Sequence, residues 1–393
     1  MPNILYTPKT PTDPRKMFCL SLLLFVLSSL FPTATQTLQA TEIHDANRNK
    51  NVMILFSYRQ GWWAVKDENR GITEGLATMG YVEGRNMTVT RMYMNTKTVN
   101  KTSEQMETAA LEIVATIQEQ NPDLLFIMDD DALRHVGAKL LDTPLPIVFG
   151  GINLFVTDPD YGWVTATEHT PLADSHEIPG HNITGVLERI AIKSGFNLLH
   201  QILPEAKTAL FLSDQSILSQ QMLRAAGATD DWQNLPLTIV KKIFTDSYET
   251  MQQTVLEYQD KADAIVILLP WTFENKDGQH VPQEKVVHWL LQNNRRPGIA
   301  YLDILAEEGF LCGVVVDMVQ QGTHAGIIAG RILDGVAPGT IPIIDPVANR
   351  IMINLGRADQ LDVDIPFEVL KNADVILKKM TAYPDFVPTR KNQ

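Results

Sequence analysis

From about residue 50 onward, short uninterrupted apolar runs alternate with stretches of helical period, and this alternation restricts the chain to few folds. Residues 52–56, 124–128 and 146–149 are apolar from end to end, as expected of strands covered on both faces. Residues 87–94 alternate well enough to form another strand. Helical stretches fall between them: one around 71–80, one opened by the capping box Thr102-Ser-Glu-Gln105 and running to about 119, and one over 131–141. Four such βα units predict a parallel sheet with helices on both faces.

The pattern stops between Gly150 and Gly180, a segment with Pro159, Pro171 and Pro179 and no sustained period. So long an irregular piece is unusual inside a compact domain, and it reads as a connection between two lobes. Beyond it, strands are expected at 183–187, 208–212, 237–244, 264–269, 298–301 and 311–316. Helices are expected near 192–202, 216–227, 247–259, 283–293 and 319–334. Asp246 with Glu249 resembles a capping box, and Pro282 suits a first helical turn. Gly322, Gly326 and Gly330 share one helix face, which permits close packing against a neighbour. The fold class is α/β: two doubly wound parallel-sheet lobes with a ligand cleft between them, where strand ends face each other.

Composition agrees with a globular chain, since 45% of the 393 residues are hydrophobic and 20% charged. With 46 acidic against 33 basic side chains, the formal charge is −13, a poor match to nucleic acid. Residues 1–40 read as a signal peptide, with Lys9, Arg15 and Lys16 ahead of a short apolar run that ends at Pro32. Cleavage after Ala40 leaves a soluble periplasmic protein beginning near Thr41. An uncleaved anchor is the alternative, although the run is shorter than a comfortable span. Cys312 is then the only cysteine, in an apolar run that reads as core, so no intramolecular disulfide is expected.

No phosphate loop, dinucleotide fingerprint or nucleophile elbow occurs, so neither a cofactor nor an enzyme activity is expected. Glu168, His169, His176, Glu177 and His181 are the best metal candidates, but Pro-Gly before His181 prevents the helix that a zinc motif needs; a solvated linker is the preferred reading and no metal is expected. The loops after the strands carry the remaining chemistry. Tyr58, Trp62 and Trp63 follow the first strand and can stack on a ligand or pack beneath the loop. Asp129, Asp130 and Asp131 follow the third strand, where one can cap the next helix and another can meet a ligand cation. Ser213, Asp214 and Ser216 precede a helix whose free N–H groups can hold an anion. Trp271, Tyr301 and Asp303 end later strands, and Asn153 opens the bridge. We expect Tyr58 with Trp62 or Trp63 to face Trp271 and Tyr301, and Asp131 or Asp303 to take a ligand cation.

Gly71-Ile-Thr-Glu-Gly-Leu-Ala-Thr-Met-Gly-Tyr-Val-Glu-Gly-Arg-Asn86 resembles a signature of one family of ABC-transporter substrate-binding proteins. Asn121-Pro-Asp-Leu-Leu125, Pro146-Ile-Val-Phe149 and Asn182-Ile-Thr-Gly-Val186 are similar to its next landmarks, in order. Residues 326–335, then Ile353-Asn354, Ala358 and Ile365-Pro366, resemble its closing segments. The resemblance implies the type I periplasmic-binding fold, two lobes joined by three crossings that close over a small ligand; some members bind aromatic amino acids. It places 51–150 plus about 318–340 in lobe 1, and 151–317 plus about 341–393 in lobe 2. The expected function is an extracytoplasmic, monomeric solute receptor that delivers a small ligand, amino-acid-like or aromatic, to an ABC permease. A periplasmic sensing module for a membrane kinase or cyclase is the alternative, and an exported enzyme using Asp129–Asp131 and Asp303 is a third reading.

Overall fold

A computed structural model describes residues 49–153, 156–157, 171–227, 234–345 and 349–386. The expected signal peptide, together with Glu168 and His169, lies outside the described residues. Among the described residues, no helix is long and apolar enough to cross a membrane.

The first lobe is built on a parallel sheet of β1 (Lys50–Phe56), β2 (Met87–Tyr93), β3 (Leu124–Met128), β4 (Ile147–Ile152) and β5 (Ile183–Leu187), in the order β2-β1-β3-β4-β5. Its strands are apolar throughout because alternate residues feed two separate cores. Met53, Leu55, Leu125 and Ile127 enter one, while Val52, Ile54, Leu124 and Phe126 enter the other. Helices α1 (Trp63–Thr78), α2 (Ser103–Gln120) and the short α3 (Asp130–His135) connect these strands. Thr102 and Gln105 form the expected capping box on α2.

The second lobe contains β6 (Thr208–Ser213), β7 (Thr238–Phe244) and β8 (Ala264–Ile267), ordered β7-β6-β8 and parallel. Beside them run β9 (Ile299–Leu302), β10 (Cys312–Val316), β11 (Asn349–Asn354) and β12 (Val375–Leu377), ordered β12-β11-β10-β9. The two sets adjoin, since the Ile265 N–H donates to the Pro297 carbonyl at 3.0 Å. Strand β11 runs antiparallel to β10, so this lobe is mixed rather than wholly parallel. Around these sheets lie α4 (Ile192–Ile202), α5 (Ile217–Ala225), α6 (Tyr248–Tyr258), α7 (Gln283–Asn293) and α8 (Asp303–Glu308). Next come α9 (Met318–Leu333), which packs on the first lobe, and α10 (Leu355–Leu361) and α11 (Phe367–Lys371), on the second. Cys312 is a buried free thiol within the core.

Two assignments differ from the sequence reading. Residues 183–187 form the fifth strand of the first sheet, with Ile183 opposite Ile147, so the 150–180 bridge does not carry the chain across. Asn182 is the cause: its side chain donates to the Leu140 and Leu145 carbonyls at 2.9 and 2.6 Å and accepts from the Asp142 N–H at 2.7 Å. These bonds fix the start of β5 beside β4, and the crossing follows Leu187. Residues 341–345 also remain with the first sheet, because Ile344 exchanges backbone hydrogen bonds with Gly185 and Leu187. The chain therefore does not cross at Ile341, since it stays with the first sheet through Asp345.

Helix α9 reaches the first lobe through a contact that only glycine permits. A Cβ on Gly75 would lie 2.2 Å from the Thr323 carbonyl oxygen, and one on Gly322 would lie 2.3 Å from that of Glu68. The obstructing atoms are backbone and cannot rotate away. Gly75→Ala should therefore force α1 and α9 apart and cost about 1–3 kcal/mol in urea unfolding. Exposed Glu74→Ala, one residue away, should change stability by less than about 0.5 kcal/mol.

Candidate functional site

The carboxyl ends of β1, β3 and β4 meet those of β6 and β8 across the interlobe space, and the loops after them define the site. After β1, the Ser57 hydroxyl donates to the Met128 carbonyl and accepts from the Ala132 N–H, each at 2.9 Å. Ser57, rather than Asp131, thereby caps α3 and ties the first loop to the third. Tyr58 and Trp62 follow with ring centroids 5.6 Å apart. Trp62 packs against the cores of both lobes and meets Trp271 edge-on at 6.5 Å. Its indole Nε1, like that of Trp63, is buried without a hydrogen-bond partner among the described residues. Trp63 packs into the second lobe's core instead of standing beside Tyr58.

A cavity of about 230 Å³ opens beside the Tyr58 ring, with Tyr58, Lys97, Asp131 and Arg134 on the first lobe and Ser216 and Gln221 on the second. Lys97 Nζ lies 5.5 Å from the Tyr58 ring centroid and 3.7 Å from Asp131, so Asp131 already has a cation. Ser216 accepts from the Ser219 N–H at 3.2 Å and caps α5. Asp214 is fully buried and takes the Ser216 N–H and hydroxyl, the Ser219 hydroxyl and the Trp271 and Thr272 N–H groups. It organises the two strand-end loops and has no capacity left for a ligand. Ser213 is likewise internal, bonded to Ser219 at 2.9 Å. In the next helix Ser247, not Asp246, is the cap.

Two expected site residues belong elsewhere. Tyr301 is wholly buried in the second lobe's core with its hydroxyl 3.5 Å from the Ile192 carbonyl, because β9 turns that side chain away from the cleft. Asp303 accepts from the Ile304 N–H at 2.7 Å and pairs with Arg350 at 3.2 Å. His181, from the metal candidates, is bonded to Asp142 at 2.7 Å.

Next to Asp130 of the cavity wall lies a buried acidic group, of which the sequence reading named Asp129 and Asp130 but not Glu68. Glu68 on α1 is fully buried, and neither of its oxygens has a hydrogen-bond partner among the described residues. Asp129, at φ +67°, leaves its Oδ2 in the same condition. A Cβ on Gly151 would lie 3.2 Å from Glu68 Oε1 and 3.3 Å from Asp129 Oδ1, so the glycine, at φ +70°, lets the two carboxyls approach. Asn153 donates from its backbone and side chain to Asp130 at 3.3 Å. Gln321, 3% exposed at the start of α9, has both amide atoms unpartnered among the described residues. Glu68 and Gln321 did leave a signal: each is a polar residue on the otherwise apolar stripe of its helix.

Burial pushes the Glu68 carboxyl up to about 8, with a contribution from Asp67, and that of Glu188 up to about 8, with contributions from Asp130 and Glu68. Asp129 is raised in the same way, first by burial and then by Glu68 and Glu188. For acids raised above their unfolded values, the native state holds more protons than the unfolded one. Their contribution to stability is full below about pH 4.5 and is lost as pH rises to about 8. Unliganded protein should therefore lose stability between pH 5 and pH 8. Glu68→Gln should flatten that fall by an amount on the order of a few kcal/mol. Urea unfolding at four pH values checks this; parallel curves would mean that Glu68 is ionised throughout.

Residues 64–377 match the family described as ABC transporter substrate binding protein. A tyrosine-binding protein of Clostridioides difficile (strain R20291) is 22% identical over 319 residues, 81% of this chain and 83% of that protein. The structure of an ABC domain from Streptococcus pneumoniae in complex with L-Trp is similar with a TM-score of 0.60 at 19% identity, covering 84% of this chain and 100% of that one. The ligand-free, open structure of a substrate-binding protein with adhesive properties from Clostridium difficile gives 0.62 at 17% identity, with the same coverage. At such identities the structural likeness establishes the fold, which is that of type I periplasmic-binding proteins. The chain belongs to the ABC transporter substrate-binding protein family.

Proposed function

We propose that this protein is an extracytoplasmic solute receptor that closes its two lobes over a small aromatic, amino-acid-like ligand and presents it to an ABC permease. The observation that carries this reading is the chain of ring contacts Tyr58, Trp62 and Trp271, contributed by both lobes, with Tyr58 on the wall of the interlobe cavity. The cavity, at about 230 Å³, suits a ligand of amino-acid size. Rings with one apolar face and one polar edge can orient an aromatic group without reacting with it. The tyrosine-binding relative and the L-Trp complex support this ligand class. An acidic chain with an amino-terminal apolar run ending at Pro32 accords with export.

A ligand that touches both lobes favours the closed arrangement through its differential affinity for that state. Binding should therefore depend on rings from each lobe. Titration calorimetry with L-tryptophan and L-tyrosine should show binding to the wild type. Tyr58→Ala and Trp271→Ala should each weaken it by about 1–3 kcal/mol, or roughly 5- to 150-fold. If both variants retain full affinity, the rings are structural and the aromatic reading is wrong.

A further inference from the structure

We infer that the strand ends of the first lobe form a buried subsite for the protonated amine of a ligand, built by Glu68, Asp129 and Gln321 with Glu188 beside them. This deepens the solute-receptor reading, on which it rests, by naming the chemistry that the first lobe accepts. Buried polar atoms without partners are costly, so several directed at one place mark a position where a ligand supplies the missing bonds. Glu68 leaves two such oxygens and Asp129 one, its Oδ2, and the two carboxyls adjoin at Gly151, where Glu68 Oε1 and Asp129 Oδ1 lie 3.2 and 3.3 Å from the position of a Cβ. Gln321 reaches that region from another element. Its neighbour Gly322 touches Glu68 itself, since a Cβ there would lie 2.3 Å from the Glu68 carbonyl oxygen, so Gln321 stands beside Glu68 at the contact of the two helices.

The sign of the charge follows from the neighbours. Arg189, after β5, donates to the carbonyls of Asn153 and Glu188 at 2.9 Å each and pairs with Asp345 at 3.3 Å. Lys97 is engaged with Asp131. The other charged or titratable groups around the cluster are Asp67 on α1, Tyr58 after β1, Asp130 after β3 and His324 on α9. An ammonium carries three donors and no acceptor, which suits two carboxyls and the Gln321 carbonyl oxygen. Among the described residues, no three His, Cys, Asp or Glu side chains are placed to hold a metal ion.

Without a ligand, burial keeps Glu68 and Glu188 largely neutral at pH 7. An incoming ammonium favours the carboxylate, so it displaces a proton to solvent, and binding tightens as pH rises towards 8. A primary aliphatic amine remains protonated across that window.

The test compares tryptamine, tyramine and putrescine with indole-3-propionate and phenylpropionate, which lack the amine, titrated calorimetrically at pH 6, 7 and 8. Wild type, Glu68→Gln and Asp129→Asn are the proteins; Gln matches the neutral carboxyl in shape, and Asn tolerates the positive φ at 129. The amines should bind at least about tenfold more tightly than the acids, gain about tenfold per pH unit for each proton released, and lose that preference in both variants. Heats at pH 7 that vary between phosphate and Tris should report the released proton. Amines that bind no better than the acids, that bind independently of pH, or that keep their advantage in both variants would overturn the subsite, as would failure of every amine to bind. Tight binding of indole-3-propionate with no amine preference would sink the subsite and leave the aromatic reading standing. Tight binding of putrescine with no aromatic bound would do the reverse.

Discussion

The backbone contact between α1 and α9 is the constraint on which the arrangement depends. Gly71 and Gly75 on one helix and Gly322 and Gly326 on the other remove the side chains that would keep the axes apart. Helix α9 arrives directly from β10 of the second lobe, and α1 begins at Trp63, whose ring is packed into that lobe's core. The same helix pair therefore ties both ends of the interlobe region to the first sheet. It also sets Glu68 and Gln321, each next to this contact, at the depth of the strand ends. A wider crossing would expose both to water.

The first lobe thus holds a poorly satisfied polar group where the rest of its interior is well packed. Burial of Glu68, Asp129 and Glu188 raises all three carboxyls, and repulsion from Glu68 adds to the rise at Asp129 and Glu188. Such an arrangement lowers stability near neutral pH, and proteins keep arrangements of that kind mainly at sites of function. The second lobe shows the opposite condition. Asp214 is just as deeply buried but is surrounded by hydrogen-bond donors, so it serves structure.

Much of the architecture was legible because strands buried on both faces read as continuous apolar runs, as in 52–56 and 124–128. The sheet to which 183–187 belongs was not legible, because it depends on Asn182 reaching carbonyls some forty residues earlier in the chain, which periodicity does not report. Strand β12 has three residues, too few to show a period. Tyr58, Trp62, Trp271 and Asp131 were singled out from their place after strands, and the structure sets Tyr58 and Asp131 on the cavity wall and Trp62 against Trp271. Tyr301 was misread because a place near a strand end does not say which face of the sheet a side chain enters. Glu68 was visible as a charge on an apolar stripe, yet its meaning required the neighbouring Asp129 and Gly151.

Asp214 grips Trp271 by its backbone N–H, not through its ring. Any residue other than proline can offer that N–H, so the backbone here is held apart from the side chain, whose indole N–H donates separately to Gln283. The loop behaves as a socket into which different side chains can be fitted without rebuilding the jaw that carries them. If Trp271 meets the ligand as proposed, a lineage that exchanged the indole for a smaller or more polar group would alter what is bound by one substitution, while the backbone of the loop stayed as it is.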